Sequence, residues 1–444
     1  MRAPAFALFS ASLLGAATQT PAPATFYRDA LPVLQNRCQS CHRPGEVAPM
    51  PLMTYEQSRP WAKAIKTAVL SHKMPPWYAD PSVGHFANDP SLTAQELQTL
   101  VAWVDAGAPE GKPKDAPAPK QFTEGWNIGK PDVVYRVPEP FQIPAQGIVE
   151  YTYVIIPSGF TEDRWIQAGE YRPDKRALTH HAAVFAREPD SKWLRKYPAG
   201  KFFIPEEGQR HSDAFSRALS TVAGASPREP IILGYTPGTI YKAFPEGEAI
   251  LVKAGSDFVV QLHFTPNGTA TTDVSSFGFA FSKGPPSKRL TSFSAANAMF
   301  VIPPGDPDYA VKGAFTVRAD CELLGFAPHM HLRGKSMEYR LVMPDGETTT
   351  LLSVPKYDFR WQLFYQLDHP IQLPKGSRIE VTAKFDNSPN NPFNPDPKAE
   401  VHWGDQTWEE MMVGFASIRI PADMDPLSVY FSDRPKRPTA NPSQ

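Results

Sequence analysis

Cysteine is scarce in this sequence, with three cysteines among 444 residues. A secreted chain of this size often carries several disulfides, so three cysteines argue against a disulfide framework and leave packing to hold the fold. Polybasic runs are also lacking, because 45 basic side chains are balanced by 46 acidic ones. Without a basic patch that could neutralise phosphates, nucleic acid is not expected as a partner.

Long apolar runs are missing after the first segment. That segment has an apolar stretch after Arg2 and then small residues, which is the layout of a secretory signal peptide. We therefore expect a signal peptide at residues 1–20, cleavage between Ala16 and Ala24, and a periplasmic or secreted protein. No later stretch is long and apolar enough to predict a transmembrane helix.

Proline is abundant, with 49 residues against 28 glycines. This is about twice the usual share of roughly 5%, which argues against a mainly helical chain. The 41% apolar and 11% aromatic residues are enough to form buried cores. The length predicts about three domains of ~150 residues each.

Two of the three cysteines belong to one motif, Cys38-Gln39-Ser40-Cys41-His42. The C-x-x-C-H spacing is the attachment signature of c-type haem, in which both thiols form thioethers and the histidine binds the iron. A C-x-x-C pair alone is also compatible with a redox disulfide or half of a zinc site. The sequence around the motif favours one covalent haem c.

The flanking segments read as helices of a small haem domain. Apolar spacing from residue 26 to 35 predicts a helix before the motif, and Thr93 with Glu96 predicts a capping box for a helix that ends near Gly107. Residues 22–112 thus resemble a cytochrome c domain. Met74, which precedes two prolines, is the candidate distal ligand, with His72 or His85 as alternatives.

Beyond residue 112 the chain changes character. Residues 113–135, which begin in a proline-rich and charged stretch, are expected to form a semi-rigid linker. Later segments are β-branched, aromatic and often alternating, for example Asp257–Phe264. The fold class is therefore an N-terminal all-α domain followed by two β-sandwiches at 136–284 and 287–432, with a tail at 433–444.

Histidines in the β region are grouped: His180 with His181, His263 on a strand, and His329 with His331. Positions i and i+2 of a strand share a face, so His329 and His331 are able to chelate one metal ion. Adjacent histidines of a regular strand face opposite ways. His180 and His181 therefore need a bulge or a strand end to share a metal.

Four motifs in one order carry a resemblance to the copper type II, ascorbate-dependent monooxygenases, over about residues 136 to 425. They are His180-His181, Gln261-Leu262-His263-Phe264, the run His329-Met330-His331-Leu332-Arg333-Gly334-Lys335, and Glu409-Glu410-Met411-Met412. The resemblance implies two β-sandwiches that each bind one copper across a solvent-filled cleft. It implies electron-transfer ligands at His180, His181 and His263, and dioxygen activation at His329, His331 and Met411.

The donor types agree with two copper ions on chemical grounds. Imidazoles bind both oxidation states of copper, while a thioether favours Cu(I), and a set without carboxylates argues against calcium and magnesium. The thioether is Met411 or Met412. The position directly after the acidic residue Glu410 favours Met411 by the family pattern.

Several positions depart from the peptide-hydroxylating members of that family. Ala327, Val413 and Phe415 stand where those enzymes have an arginine, an asparagine and a tyrosine. The pocket is therefore expected to be more apolar, and a peptide ending in glycine is not the expected substrate. If Cys38 and Cys41 attach haem, only Cys321 remains, so packing alone must hold the two sandwiches.

The resemblance and the haem motif together predict an exported haem-copper monooxygenase. It would hydroxylate a small organic substrate with dioxygen, taking electrons from an external donor such as ascorbate or a redox protein and passing them from haem to the two coppers. The alternative is a non-catalytic electron-transfer or copper-binding protein, since fold and ligands alone do not establish turnover.

Overall fold

The structure of the protein is a computed structural model that describes residues 23–206, 229–238 and 241–430. The predicted signal peptide at 1–20 and the predicted tail at 433–444 lie outside the described residues. Most regular structure is β-sheet, which confirms the prediction of β-sandwich domains. In the described part of the chain, no helix is long and apolar enough to cross a membrane.

The described helices lie mostly in residues 26–105. A π-helical turn at Phe26–Ala30 leads into them, and their bounds are α1 Leu31–Arg37, α2 Tyr55–Ser58, α3 Ala62–Leu70 and α4 Ala94–Asp105, with 3-10 turns at Arg59–Trp61 and Pro113–Asp115 and a last helix α5 at Leu427–Tyr430.

The predicted caps of α4 are confirmed. The side chains of Thr93 and Glu96 each accept the other's backbone N–H, at 3.2 Å and 2.8 Å, and Gly107 follows the helix with φ +89°. The first and last helical segments pack together, with the rings of Phe26 and Trp103 5.7 Å apart. Residues 38–54 and 71–93 are not helical, so the predicted all-α cytochrome c domain is not seen as such, and its identity stays a proposal.

The strands fill the rest of the described chain. They are β1 Val133–Arg136, β2 Phe141–Ile143, β3 Thr152–Pro157, β4 Arg164–Arg172, β5 Thr179–Arg187, β6 Phe202–Phe203, β7 Ile231–Tyr235, β8 Tyr241–Ala243, β9 Glu248–Val252, β10 Asp257–Phe264, β11 Thr271–Asp273, β12 Ser276–Phe281, β13 Lys288–Ala296, β14 Val301–Ile302, β15 Tyr309–Thr316, β16 Cys321–His329, β17 Gly334–Val342, β18 Thr348–Val354, β19 Tyr365–Leu373, β20 Arg378–Phe385, β21 Val401–His402 and β22 Val413–Pro421.

One long sheet runs through both halves of the β region. Among the described residues it has nine strands in the order β1-β12-β4-β9-β13-β22-β16-β19, with β8 paired to β4. A five-stranded sheet β6-β3-β10-β5-β7 belongs to the first half, and a four-stranded sheet β15-β20-β17-β18 to the second. Each half thus buries its own apolar core, with Phe258 and Phe277 in the first and Phe326 and Tyr339 in the second.

The halves meet where β9 and β13 pair in parallel, with Lys288 opposite Glu248. The Arg419 guanidinium lies across this seam and forms ion pairs with Glu248 of the first half and Glu322 of the second. The predicted boundary near residues 284–287 therefore falls between strands of a continuous sheet, which holds the two sandwiches in one orientation.

Candidate metal centres

His180, His181 and His263 come together at one end of the five-stranded sheet. β5 and β10 are antiparallel, with His181 opposite His263 and Thr179 opposite Phe264. His180 has no partner in that register, so it is the extra residue of a β-bulge. The bulge is the feature that lets two adjacent histidines face the same point, as the sequence required.

The three imidazoles have the geometry of a metal site. One nitrogen from each ring lies within 4.8 Å of the other two. Both nitrogens of His180, Nε2 of His181 and Nδ1 of His263 are buried without a hydrogen-bond partner in the described structure. Buried polar nitrogens are normally hydrogen-bonded, so three such rings around one point fit a metal ion that takes their lone pairs.

Burial sets the protonation state of this cluster. It lowers the pKa of His180 to about 4 and that of His263 to about 3, and it holds the pKa of His181 well below its usual value. Neighbouring imidazoles lower all three further, since two like charges repel. The rings are therefore neutral near pH 7, the state in which imidazole binds a metal.

His329 is the last residue of β16 and His331 lies two residues beyond it, so the two histidines do not occupy one strand face as the spacing predicted. The ring centroids are 5.2 Å apart with perpendicular planes, and the pKa of each imidazole is lowered by burial. Nδ1 of His329 contacts Oε1 of Gln362 at 2.6 Å, and Nδ1 of His331 contacts the backbone oxygen of Glu409 at 3.2 Å. Hydrogen bonds at both Nδ1 atoms leave both Nε2 atoms for a metal.

Glu410 fixes the backbone of this second cluster. Its carboxyl accepts the N–H of His331 at 2.8 Å and the N–H of Arg333 at 2.6 Å, and the side chain is fully buried. Burial raises the pKa of Glu410 to about 8, although these two donors and the Arg333 guanidinium favour the charged form. The carboxyl thus joins the segment before β22 to the turn after β16.

The two candidate methionines differ in burial. Met412 is fully buried in the second core, where its sulfur lies beside Gly313. Met411 is half-buried and lies between Glu410, which is bonded to His331, and Val413, which pairs with His329. Met411 therefore follows the backbone that borders both histidines, while the Met412 sulfur is taken up by the core.

Two aromatic rings lie between the clusters, in place of the solvent-filled cleft that the resemblance implies. The Tyr151 ring is 4.4 Å from His263 and 6.3 Å from His331, and it is 5% exposed. The Phe359 ring stacks on His180 at 4.6 Å and lies 5.9 Å from His331. Each of these two rings therefore lies near histidines of both clusters.

Sequence reasoning missed these rings and the polar partner Gln362. Tyr151 precedes a strand and Phe359 lies in the loop between β18 and β19, so neither belongs to a metal-binding motif. A loop aromatic has no sequence signal that distinguishes it from ordinary core packing. The sequence shows that Glu410 precedes Met411. It does not show that the Glu410 carboxyl accepts the N–H groups of His331 and Arg333.

The cysteine and histidine motif forms a turn after α1. The backbone N–H groups of Cys41 and His42 donate to the carbonyl of Cys38 at 3.1 Å and 2.9 Å. Nδ1 of His42 contacts the carbonyl of Met50 at 3.0 Å, which leaves Nε2 for an iron. Cys38, Cys41 and His42 are the residues that would hold a c-type haem, and this assignment stays a proposal.

The candidate distal ligands differ in exposure. Met74 is half-buried in the turn after α3, and its N–H contacts the carbonyl of Ala68 at 3.3 Å. His72 and His85 are both exposed. Met74 is therefore the least exposed of the three candidates.

Comparison with known structures gives little. The major capsid protein P2 from Bacteriophage PM2 shares 7% identity with this chain and gives a TM-score of 0.26. The match covers 65% of this chain and 97% of the capsid protein. The infectious bursal disease virus VP2 subviral particle gives 11% identity, coverage of 66% and 60%, and a TM-score of 0.19. Scores this low carry no inference about fold or function. No curated protein sequence matches the chain.

A protein-family comparison is more informative. Residues 291–415 match the family described as copper type II ascorbate-dependent monooxygenase, C-terminal domain. The matched stretch contains His329, His331 and Met411 and corresponds to most of the second sandwich. The match supports this family of copper-dependent oxidoreductases for that part of the chain.

Proposed function

We propose that the protein is an exported haem-copper monooxygenase. The reaction would insert one oxygen atom of dioxygen into a C–H bond of a small organic substrate and release the other as water, using two electrons and two protons. The carrying observation is the pair of unlike donor sets on either side of Tyr151 and Phe359, one of them inside the matched family region.

The first cluster suits a copper that only exchanges electrons. Three neutral imidazoles accept both oxidation states, and strand pairing plus the bulge fixes His180, His181 and His263 before any metal binds. Small rearrangement between oxidation states favours fast electron exchange. A copper ion at this cluster would store one electron, and the paired strands β5 and β10 would hold its three histidine ligands in place.

The second cluster suits copper that meets dioxygen. The thioether of Met411 would favour Cu(I), the oxidation state that reacts with dioxygen. Gln362 and the carbonyl of Glu409 orient the two imidazoles, and Glu410 holds the segment that carries Met411. Because these hydrogen bonds are made at Nδ1, the Nε2 atom of each imidazole is the one that would bind copper.

The substrate is proposed to be small and apolar. Phe415 lies with its ring 6.2 Å from the ring of His329, and Ala327 pairs with Phe415 across β16 and β22. These positions offer no charged partner for a carboxylate. A substrate held there would be bound by burial of apolar surface rather than by ion pairing.

The helical domain would supply the electrons. A haem bound by Cys38, Cys41, His42 and Met74 is a one-electron carrier, and a methionine ligand raises its potential. An external donor, ascorbate or a redox protein, would reduce the haem, and the first copper would receive the electron. This assignment rests on the motif and on the His42 to Met50 contact.

One observation favours the second candidate, a non-catalytic electron carrier. Tyr151 and Phe359 fill the region between the clusters, where the resemblance implies solvent. A carrier needs no room for substrate between its metal centres. Substrate-dependent oxygen consumption therefore separates the two functions.

The test is dioxygen uptake by protein loaded with haem and copper, under an electron donor, with a panel of small aromatic and aliphatic compounds. We expect at least one compound to accelerate uptake and to be hydroxylated by wild type but not by Met411→Ala. Met412→Leu, a core change of similar volume, should retain product formation. Identical uptake by wild type and Met411→Ala across the panel would overturn the monooxygenase.

The haem is tested separately. Protein made with a cytochrome maturation system should keep its haem after denaturation and give a c-type pyridine haemochrome spectrum, because thioethers are covalent. Release of haem by acid-acetone extraction would show that Cys38 and Cys41 are not attached. Met74→Ala should remove the weak charge-transfer band of methionine ligation, and its persistence would assign that role elsewhere.

A further inference from the structure

The segment after the cysteine-histidine motif is in contact with the first sandwich. The carboxylate of Glu46 is shared between Arg43, at 2.8 Å, and Arg176, at 3.1 Å. The side chains of Glu46 and Arg176 are only 10% and 13% exposed. Because solvent reaches them little, this interdomain ion pair is weakly screened by salt.

Arg176 belongs to the turn that leads into the first histidine cluster. The N–H groups of Leu178 and Thr179 both donate to the carbonyl of Lys175, at 2.9 Å and 3.0 Å, which closes the turn around Arg176. β5 begins at Thr179, directly before His180. The residue that binds Glu46 thus lies four positions before the bulged histidine.

Tyr235 lies on the strand next to the histidine strand. It ends β7 and is the register partner of Ala182, the neighbour of His181. The side chain is 2% exposed, so it packs beneath the end of β5.

The helical domain is also attached elsewhere. Trp77 and Phe86 pack on Tyr365 of the second sandwich, with ring centroids 4.7 Å and 5.6 Å away. The segment after α4 contacts both domains. Its Ala118 carbonyl accepts from Gln35 of the helical domain, and its Asn127 donates to the buried Glu170 of the first sandwich. The domain is therefore docked at two places.

We propose that the ion pair of Glu46 with Arg176 holds the segment after the haem motif against β5, the strand of the three-histidine cluster that the buried Tyr235 supports from β7, and that this contact sets the rate of electron transfer from haem to that cluster. The proposal rests on the proposed function and adds the route and the positioning residues. The contact of Trp77 and Phe86 with Tyr365 is the competing path, which the experiment tests.

The step balances with one electron and no proton. Cys38, Cys41 and His42 would hold a haem that gives up one electron, His180, His181 and His263 would hold the copper that accepts it, and the external donor would return one electron to the haem. Electronic coupling through protein falls steeply with distance, so a change in docking at Glu46 alters the rate without altering either metal site. Glu46, Arg176 and Tyr235 act by position, not by touching the reacting metals.

The experiment follows haem oxidation in anaerobic protein that carries haem and copper. A sub-stoichiometric pulse of reductant reduces the haem, and its visible absorbance then reports electron loss, without substrate or turnover. We expect Glu46→Gln to slow this phase by about tenfold or more, the scale expected when an interfacial charge pair loses one partner. Tyr235→Leu should also slow it, and Tyr235→Phe, which keeps the ring, should restore the wild-type rate.

Matched controls separate position from general damage. Asp105→Asn breaks an exposed ion pair with Lys66 inside the helical domain, and Phe86→Leu weakens the contact to Tyr365. Both should leave the rate unchanged. In copper-free protein, hydrogen exchange of residues 173–178 should rise in Glu46→Gln and not in Asp105→Asn, while the haem potential stays constant in both.

The outcomes separate this inference from the proposed function. Wild-type haem that stays ferrous in the presence of cupric protein would overturn the haem-to-copper route and this inference with it. Fast oxidation in wild type together with unchanged rates in Glu46→Gln and Tyr235→Leu would overturn the inference alone. A rate that falls in Phe86→Leu instead would assign the route to the second sandwich.

Discussion

The two histidine clusters are built by different means. Strand register and a bulge place His180, His181 and His263, whose nitrogens have few partners among the described residues. The second cluster lies where a strand ends, and side chains from distant loops orient His329 and His331. The fold itself therefore forms the first donor set, whereas the second depends on polar contacts that can be changed one by one.

The largest expected effect is the loss of one cluster at a time. His180→Ala with His181→Ala should remove one copper and leave the other, and His329→Ala with His331→Ala should do the reverse. The reason is that each pair contributes most donors of its own site. Metal analysis per chain, with the haem spectrum as folding control, measures this. Loss of both coppers from either double variant would contradict two separate sites, and preference for zinc over copper would indicate a structural site.

Acid should destabilise the copper-free protein through the buried imidazoles. The unfolded chain takes up protons below about pH 6.5, while His180 stays neutral in the folded chain until about pH 4. Going from about pH 7 to about pH 5 should therefore lower the free energy of unfolding by about 2 kcal/mol for each such imidazole.

Chemical denaturation of the Glu410→Gln variant at several pH values measures this change in the free energy of unfolding. The variant is used because the raised pKa of Glu410 has the opposite effect in the wild-type protein, where stability is lost as the pH rises toward about 8. Asp308, whose pKa is lowered to about 2 by Lys335 and Lys384, keeps its charge over this window. Equal stability at both pH values would show that the imidazoles titrate normally.

Removing the Glu410 acceptor should damage the second cluster selectively. Glu410→Leu leaves the N–H groups of His331 and Arg333 buried without partners, at a cost of about 2–5 kcal/mol in the free energy of unfolding. Glu410→Gln keeps one acceptor oxygen but turns an NH2 donor toward the second backbone N–H, because the two carboxyl oxygens accept from different groups, so it should cost about 1–3 kcal/mol. If Gln is as harmful as Leu in thermal unfolding, both acceptor oxygens are required.

Gln362 offers the smallest and most specific change. Gln362→Ala removes the acceptor at Nδ1 of His329 and should weaken copper at the second cluster by about 10–100-fold, as for other partners of metal-binding histidines. Gln362→Glu keeps an oxygen acceptor and should bind normally. Copper titration monitored at both sites measures the difference, and equal weakening of the three-histidine site would show that Gln362 acts on the whole fold.

Sequence alone predicted much of this arrangement. Capping at Thr93 and Glu96 and the apolar alternation of the strands are local signals, so helices and strands could be located. The bulge at His180 could be anticipated because adjacent histidines cannot otherwise share a face. The continuous sheet through β9 and β13 could not, since pairing between distant strands leaves no local pattern.

The positions of the Tyr151 and Phe359 rings between the clusters could not be predicted from the sequence either. Tyr151 and Phe359 are brought there by separate domains, and each is an ordinary aromatic residue in its own segment. The difference in burial between Met411 and Met412 could not be predicted either, because both follow the same acid. Spacing predicts donors, whereas tertiary packing decides which donors are free to bind.

The central claim is that the two clusters are unlike copper centres, one with nitrogen donors alone and one with a sulfur donor. X-ray absorption at the copper edge of the Cu(I) form of His180→Ala/His181→Ala, which keeps the second cluster alone, tests it most directly. A sulfur scatterer should be present there and in the added Met412→Leu variant, and absent after Met411→Ala. Spectra with nitrogen and oxygen scatterers alone, unchanged by Met411→Ala, would contradict the account.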